Sequence, residues 1–196
     1  MVIKITKTKI IEQFVNCYDK KFYLRELASL LRKPHQTIKP HLEKLVQEGI
    51  LIKIHRKNIL EYGLNFKNKG LYDYLIIAEK EILIFKLSKE VLLKILFERL
   101  SSFFINNTFL VFGSSVEKLQ KNSDVDLLII GKSNVKNIID DFEKIYNKKI
   151  HKVQVSNLNK LNNTFIKEIY KKHIIFNNSE QIVRFFGGLY EKNNLV

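Results

Sequence analysis

The sequence of 196 residues predicts an α/β (α+β) fold in two domains. Near the N-terminus, three helical patterns precede two short apolar strands. Later in the chain, helical and strand patterns alternate, which favours a small mixed sheet flanked by helices. A break at Asn68-Lys69-Gly70 separates the two patterns. We therefore expect a first domain at 1–66, a connecting helix within 67–87 and a second domain at 88–196.

The first domain is defined by apolar periodicity and by its helix ends. Ile10, Ile11 and Phe14 recur at helical spacing, which predicts an amphipathic helix. Gly49 is a natural C-terminal stop for the third helix, and Pro40 is expected either to kink that helix or to lie near a later start of it. The expected elements are helices at 8–16, 24–31 and 34–48 and strands at 50–54 and 59–63.

This order of elements resembles a winged helix-turn-helix domain over most of residues 6–66. Leu42-Glu43-Lys44-Leu45 and Glu48-Gly49-Ile50-Leu51 are typical of that family. The resemblance implies that the third helix enters the DNA major groove and that the hairpin tip contacts the backbone. The candidate DNA-binding residues are Lys33, His35, Gln36, Thr37 and Lys39 on the helix and Arg56 and Lys57 on the wing. The alternative is a protein-docking or dimerisation module that makes no DNA contact.

Composition narrows the class of partner. The net charge is +14, which favours a polyanionic partner, although a lysine-rich composition bias is an alternative explanation. The single cysteine, Cys17, excludes an internal disulfide and a cysteine-built zinc site and fits a reducing compartment. Charged residues interrupt every apolar run before it is long enough to span a bilayer. We therefore expect a cytoplasmic protein with no membrane partner.

The second domain is predicted from alternating helical and strand patterns. A connecting helix begins at Leu71, and Ser88 is the expected N-cap of the next helix. That apolar helix could supply an interface for a homodimer. Gly187-Gly188 is expected to end the last helix. The expected elements are helices at 88–104, 114–120, 134–146, 162–173 and 179–190 and strands at 108–113, 124–131 and 149–156.

One motif in this domain carries chemistry. Gly113-Ser114 ends an apolar strand, and Ser123-Asp124-Val125-Asp126 opens the next strand after a short turn. Residues two apart on a strand point to one face, so Asp124 and Asp126 lie side by side. Two adjacent carboxylates favour a hard cation such as Mg²⁺. Gly113 lets a ligand approach the backbone, and Ser114 can open a helix whose N–H groups face a phosphate.

This motif resembles that of the minimal nucleotidyltransferases of the DNA polymerase β superfamily, over roughly residues 88–190. The resemblance implies that Asp124 and Asp126 are catalytic and bind Mg²⁺ (or Mn²⁺). It also implies that Gly113, Ser114 and Ser123 bind the nucleotide, ATP or another NTP. The implied reaction transfers a nucleoside monophosphate, with AMP the favoured group, to an acceptor hydroxyl. The acceptor could belong to a protein, as in antitoxin-like members, to an RNA end or to a small molecule.

The third carboxylate of that family has no clear counterpart. The resemblance puts it near Gln154, and the segment from Asn147 to Glu168 contains no acid between these ends. Strand alternation places His151 on one face and Gln154 on the other. A glutamine can coordinate a metal but cannot accept a proton. Two functions therefore remain open: an active nucleotidyltransferase with a DNA-binding domain, or a nucleotide-sensing DNA-binding regulator without turnover.

Overall fold

A computed structural model of the protein describes residues 4–56, 59–116 and 123–192. The described residues form two compact units. Unit 1 contains the chain up to Glu79 together with the C-terminal segment that begins at Val183, and unit 2 is Lys80–Ile182. The C-terminal segment, which the sequence patterns grouped with the second domain, thus clusters with the N-terminal residues.

Unit 1 is built on three short helices and a three-stranded antiparallel sheet. The sheet has the order β1-β3-β2, in which β3 pairs with both neighbours. The helices and strands that were predicted for this part of the chain are confirmed, and the structure has one further strand, the two-residue β1. The elements are α1 Lys7–Ile11, which continues as a 3₁₀ turn at Glu12–Phe14, β1 Phe22–Tyr23, α2 Leu24–Leu30, α3 His35–Gln47, β2 Leu51–Arg56 and β3 Ile59–Leu64.

The helix α3 runs through its proline and ends at a glycine. Pro40 lies at the sixth position of α3, where it removes one backbone hydrogen bond, but the helix is continuous on both sides of it. At the other end, Gly49 adopts φ +69°. The Ile50 N–H donates to the Leu45 carbonyl and the Gly49 N–H to the Val46 carbonyl, both at 2.9 Å. This pair of bonds is a Schellman motif, and the predicted stop at Gly49 is confirmed.

The helix that follows unit 1's sheet is longer than expected. α4 spans Leu71–Lys89 and therefore includes Ser88, whose hydroxyl donates to the Phe85 carbonyl at 2.7 Å. The prediction that Ser88 caps the next helix is wrong, because Glu90 occupies that N-cap position. The reason is local: the α4 backbone hydrogen bonds continue to Glu90, whose N–H donates to the Lys86 carbonyl.

Unit 2 is a four-stranded mixed sheet with helices. Its strand order is β6-β5-β4-β7, where β4 is antiparallel to both neighbours and β5 and β6 are parallel. The mixed sheet was predicted, but β7 was not: the preceding helix was expected to continue to residue 173, which is the first residue of this strand. The elements are α5 Val91–Leu100, β4 Asn107–Phe112, a 3₁₀ turn at Gly113–Val116, β5 Val125–Gly131, α6 Lys136–Tyr146, β6 Ile150–Val155, α7 Asn163–Lys171 and β7 His173–Ile175.

The two faces of this sheet have different environments. One face packs into the main core of unit 2, which includes Leu96 of α5, Leu127 of β5 and Phe142 of α6. On the other face, Phe112 at the end of β4 meets Phe165 of α7, with ring centroids 5.2 Å apart. Since Asp126 alternates with Leu127 along β5, its side chain projects from the second face.

The last helix, α8, spans Ser179–Glu191 and continues through both glycines. The expectation that Gly187-Gly188 ends it is therefore wrong. A Cβ on Gly187 would lie 2.4 Å from the Tyr72 ring, so this glycine permits close packing within the helix. Further along, Tyr190 packs against Phe66 with ring centroids 4.6 Å apart. None of the helices in the described ranges has the length and apolar composition needed to cross a bilayer.

Candidate functional site

The candidate site forms where β4 ends beside the start of β5. Gly113 follows β4 with φ +71°, a conformation that glycine adopts without strain. A Cβ at this position would lie 2.8 Å from Oδ2 of Asp126, so the backbone passes directly beside that carboxylate. The Gly113 N–H donates to the Lys172 carbonyl at 3.2 Å. The glycine is therefore required both by its φ angle and by the space that Asp126 takes.

The two predicted acids lie at the start of β5. Asp126 pairs with Phe112 across the β4–β5 ladder, which brings it next to Gly113. Its side chain is 27% exposed, whereas Asp124, just before the strand, is exposed. The hard oxygen atoms of two carboxylates suit Mg²⁺ or Mn²⁺. Within the described residues, no group of three or more His, Cys, Asp or Glu side chains is arranged to hold a metal ion.

The neighbour of Asp126 on β6 is His151, not Gln154. The parallel register pairs Asp126 with His151, and His151 Nδ1 lies 3.3 Å from Asp126 Oδ1. Gln154 pairs with Ile129 on the opposite face, and its amide donates to the carbonyls of Gly131 and Ser133. The expectation that Gln154 stands beside the acid pair is therefore wrong. Strand alternation alone puts His151 and Gln154 on opposite faces of the sheet, but the pairing register determines which of them lies beside Asp126.

The serines near the acids have different environments. Ser114 is exposed in the 3₁₀ turn after Gly113, while the Ser115 hydroxyl is buried and donates to the Phe112 carbonyl at 2.9 Å. The expected helix at 114–120 is a 3₁₀ turn as far as Val116, and the rest of it lies outside the described residues. Among the residues that the structure describes, Ser114 can offer a ligand its own exposed hydroxyl and the backbone of this short turn.

Ser123 accepts a hydrogen bond from a buried lysine that the sequence patterns did not assign to the site. Lys148 is only 4% exposed, and its Nζ donates to Ser123 Oγ at 3.4 Å. Asn147, directly before it, adopts the left-handed conformation that ends α6. The helix end thus turns Lys148 inward toward the residue that precedes Asp124. A single lysine after a helix gives no pattern from which this burial could be predicted.

A cleft of about 690 Å³ adjoins the site on the β7 side. Gly113 and Ser114 form one wall, and the exposed side of α7 forms the other. The α7 residues that line it are mostly polar or basic: Asn163, Thr164, Lys167, Glu168 and Lys171, with Lys172 directly after the helix. These residues lie 50 or more positions after Gly113, and the sequence patterns did not assign them to the site.

Most of the candidate DNA-binding residues are exposed on unit 1. His35, Gln36, Thr37 and Lys39 are exposed in the first half of α3. Lys33 is half-buried just before that helix, and Arg56 is exposed at the end of β2. Lys57 lies outside the described residues. A cleft of about 560 Å³ between α2 and the start of α3 is lined by basic and small residues, namely Arg25, Ala28, Ser29, Arg32, Lys33, Pro34 and His35.

Comparison with protein families identifies the class to which unit 2 is similar. Residues 98–181 match the model of a family described as polymerase beta, nucleotidyltransferase. The matched segment includes β4 and β5 with Gly113, Ser114, Asp124 and Asp126. Comparisons with curated proteins and with solved structures gave no match. The chain therefore contains a segment that matches nucleotidyltransferase domains.

Proposed function

We propose that the protein is a Mg²⁺-dependent nucleotidyltransferase that transfers NMP, with AMP the favoured group, from an NTP to an acceptor hydroxyl. The observation that carries the proposal is the contact between Gly113 and Asp126. It joins the Gly-Ser turn to the acid pair within a segment that matches the nucleotidyltransferase family. Because Gly113 has no Cβ, the Asp126 carboxylate lies directly against the backbone of the turn, so a metal held by that carboxylate would lie beside the Gly-Ser turn.

The donor set fits a divalent metal. Mg²⁺ is commonly held by one or two carboxylates together with substrate phosphates, so Asp124 and Asp126 suffice as protein ligands. When bound, the metal would polarise the α-phosphate and stabilise the leaving pyrophosphate. The chain would position these acids: the β4–β5 pairing fixes Asp126, and Lys148 donates a hydrogen bond to Ser123, the residue directly before Asp124.

A second candidate function rests on the residue beside Asp126. The β6 neighbour is an imidazole rather than a carboxylate, so β6 does not supply at this position the third acid that the family resemblance implies. A domain of this kind could bind nucleotide without turnover. The protein would then be a nucleotide-sensing regulator that binds DNA through unit 1.

DNA binding through unit 1 is part of both candidate functions. The order of three helices and a β-hairpin in unit 1 supports a winged helix-turn-helix, with α3 as the recognition helix. The exposed Gln36 could contact a base edge, whereas Lys39 and Arg56 could contact phosphates. The net charge of +14 favours such a partner.

Calorimetric titration of ATP and the other NTPs, with Mg²⁺ and with EDTA, tests the proposal. We expect Mg²⁺-dependent binding that the double substitution Asp124→Asn with Asp126→Asn abolishes. The matched control is Asp140→Asn with Asp141→Asn on α6, which makes the same charge change outside the site. If the site variant binds as well as the wild type, the metal-site assignment is wrong. Pyrophosphate release in the presence of candidate acceptors then separates the enzyme from the nucleotide sensor.

A further inference from the structure

Asp126 presents its two carboxylate oxygens to different neighbours. Oδ2 lies toward Gly113, where an added Cβ would be 2.8 Å away, and Oδ1 lies 3.3 Å from Nδ1 of His151. The His151 side chain is 73% exposed and that of Asp126 is 27% exposed. Oδ1 and the ring nitrogen therefore form a pair of donor atoms that a cation can reach from solvent.

The strand β6 offers a nitrogen, not an oxygen, as its side-chain ligand beside Asp126. The parallel register sets His151 directly next to that acid. Strand alternation places Val153 and Val155 on the same face as His151, and a valine side chain carries no donor atom. All six residues of β6 lie in the described part of the chain, so the imidazole is what this strand contributes there.

The distance between the two donor atoms suits a chelate. With ligand bonds of about 2.1 Å, two ligand atoms are about 3.0 Å apart at the octahedral angle and about 3.4 Å apart at the tetrahedral angle. The observed 3.3 Å lies within this range, so one ion could bind both atoms with little movement of either side chain. In the absence of metal, the same separation gives an exposed contact that contributes little to stability.

We propose that Asp126 and His151 chelate a divalent cation and that this pair makes the site selective for a first-row transition metal ion over Mg²⁺. The inference rests on the proposed function and names the class of metal that its site prefers. Imidazole nitrogen suits transition metals such as Zn²⁺, whereas Mg²⁺ takes oxygen ligands almost exclusively. Mg²⁺ would use the carboxylates alone, so His151 acts on selectivity and leaves Mg²⁺ binding possible.

The test is calorimetric titration of Zn²⁺ and of Mg²⁺, each without nucleotide, into the full chain. For His151→Ala, we expect about 10–100-fold weaker binding of Zn²⁺, because removal of a group that supports a metal site costs at least this much. The affinity for Mg²⁺ should change less than twofold. A second readout is the visible absorption spectrum of bound Co²⁺, which should change when the nitrogen ligand is lost.

Two further variants make the test specific. His151→Asp replaces the nitrogen by a carboxylate, so it should tighten binding of Mg²⁺ by about tenfold while the Co²⁺ spectrum loses its nitrogen signature. The matched control is His55→Ala, which removes an exposed imidazole from β2 in unit 1. This control should leave the affinities for both ions and the Co²⁺ spectrum unchanged.

The outcomes separate this inference from the proposed function. Zn²⁺ binding that His151→Ala retains within twofold would overturn the inference, and so would an equal loss of Zn²⁺ and Mg²⁺. Zn²⁺ binding that depends on His151 but survives Asp126→Asn would also overturn it, because the two residues would then not share an ion. In each of these cases, and if the wild type binds neither ion without nucleotide, the NTP titrations described above still decide the proposed function.

Discussion

Substitution of Gly113 by alanine tests the central geometric feature of the site. The new Cβ would lie 2.8 Å from Asp126 Oδ2, closer than carbon and oxygen normally approach, and the residue would keep φ +71°. A left-handed conformation costs a residue with a Cβ about 1–2 kcal/mol. Displacement of the half-buried Asp126 adds to this, and we expect a total loss of about 1–3 kcal/mol in the free energy of unfolding.

Two assays measure the consequences of this substitution. For a chain of this size, each kcal/mol lowers the melting temperature by roughly 2–4 °C, so thermal unfolding should show a clear decrease. Calorimetry should show at least about tenfold weaker binding of ATP in Mg²⁺, because the carboxylate proposed as a metal ligand would be displaced.

The matched control for Gly113→Ala is Gly131→Ala at the far end of β5. Gly131 also has a positive φ, +147°, and a Cβ there would lie 2.2 Å from Asn107 Oδ1. This variant should lose stability but keep its affinity for ATP. If Gly113→Ala binds ATP as tightly as Gly131→Ala does, the contact between Gly113 and Asp126 does not position the carboxylate, and our reasoning is refuted.

Two further predictions concern unit 1. Gly187→Ala should lower the free energy of unfolding by about 1–3 kcal/mol, because the new Cβ would be too close to the Tyr72 ring. Gly188→Ala should raise it by about 0.5–1 kcal/mol, because no atom lies within 4 Å of the new Cβ and alanine favours the helix. Urea unfolding in which both variants change stability in the same direction would contradict this prediction. Burial raises the pKa of Cys17 to about 11, so its thiol should react slowly with a disulfide reagent at pH 8 and rapidly in urea. Because the folded pKa is raised, this thiol's contribution to stability is complete below about pH 9 and is lost toward pH 11; equal rates with and without urea would refute the burial.

Local patterns account for much of what could be predicted. The apolar runs of β4 and β5 and the helical spacing of apolar residues in α6 each lie within one segment, so each is visible without knowing which elements pack against it. The end of α3 at Gly49 could be predicted because it depends on a left-handed backbone conformation that glycine adopts easily and on hydrogen bonds to residues only a few positions away. The strand β7, in contrast, has three residues, too few for a period, and directly follows a helical pattern.

The candidate site also combines features that follow from local sequence with features that depend on tertiary contacts. The sequence by itself determined the spacing of the two acids within one segment, from which we predicted that Asp124 and Asp126 share a strand face near Gly113. The structure places Asp126 on β5 beside Gly113 and Asp124 just before that strand. The tertiary structure decided that His151 rather than Gln154 meets Asp126, that the lysines of α7 face Gly113, and that α8 continues through Gly187 to pack in unit 1. Strand register and helix packing are set by contacts between residues far apart in the chain, which no local pattern contains.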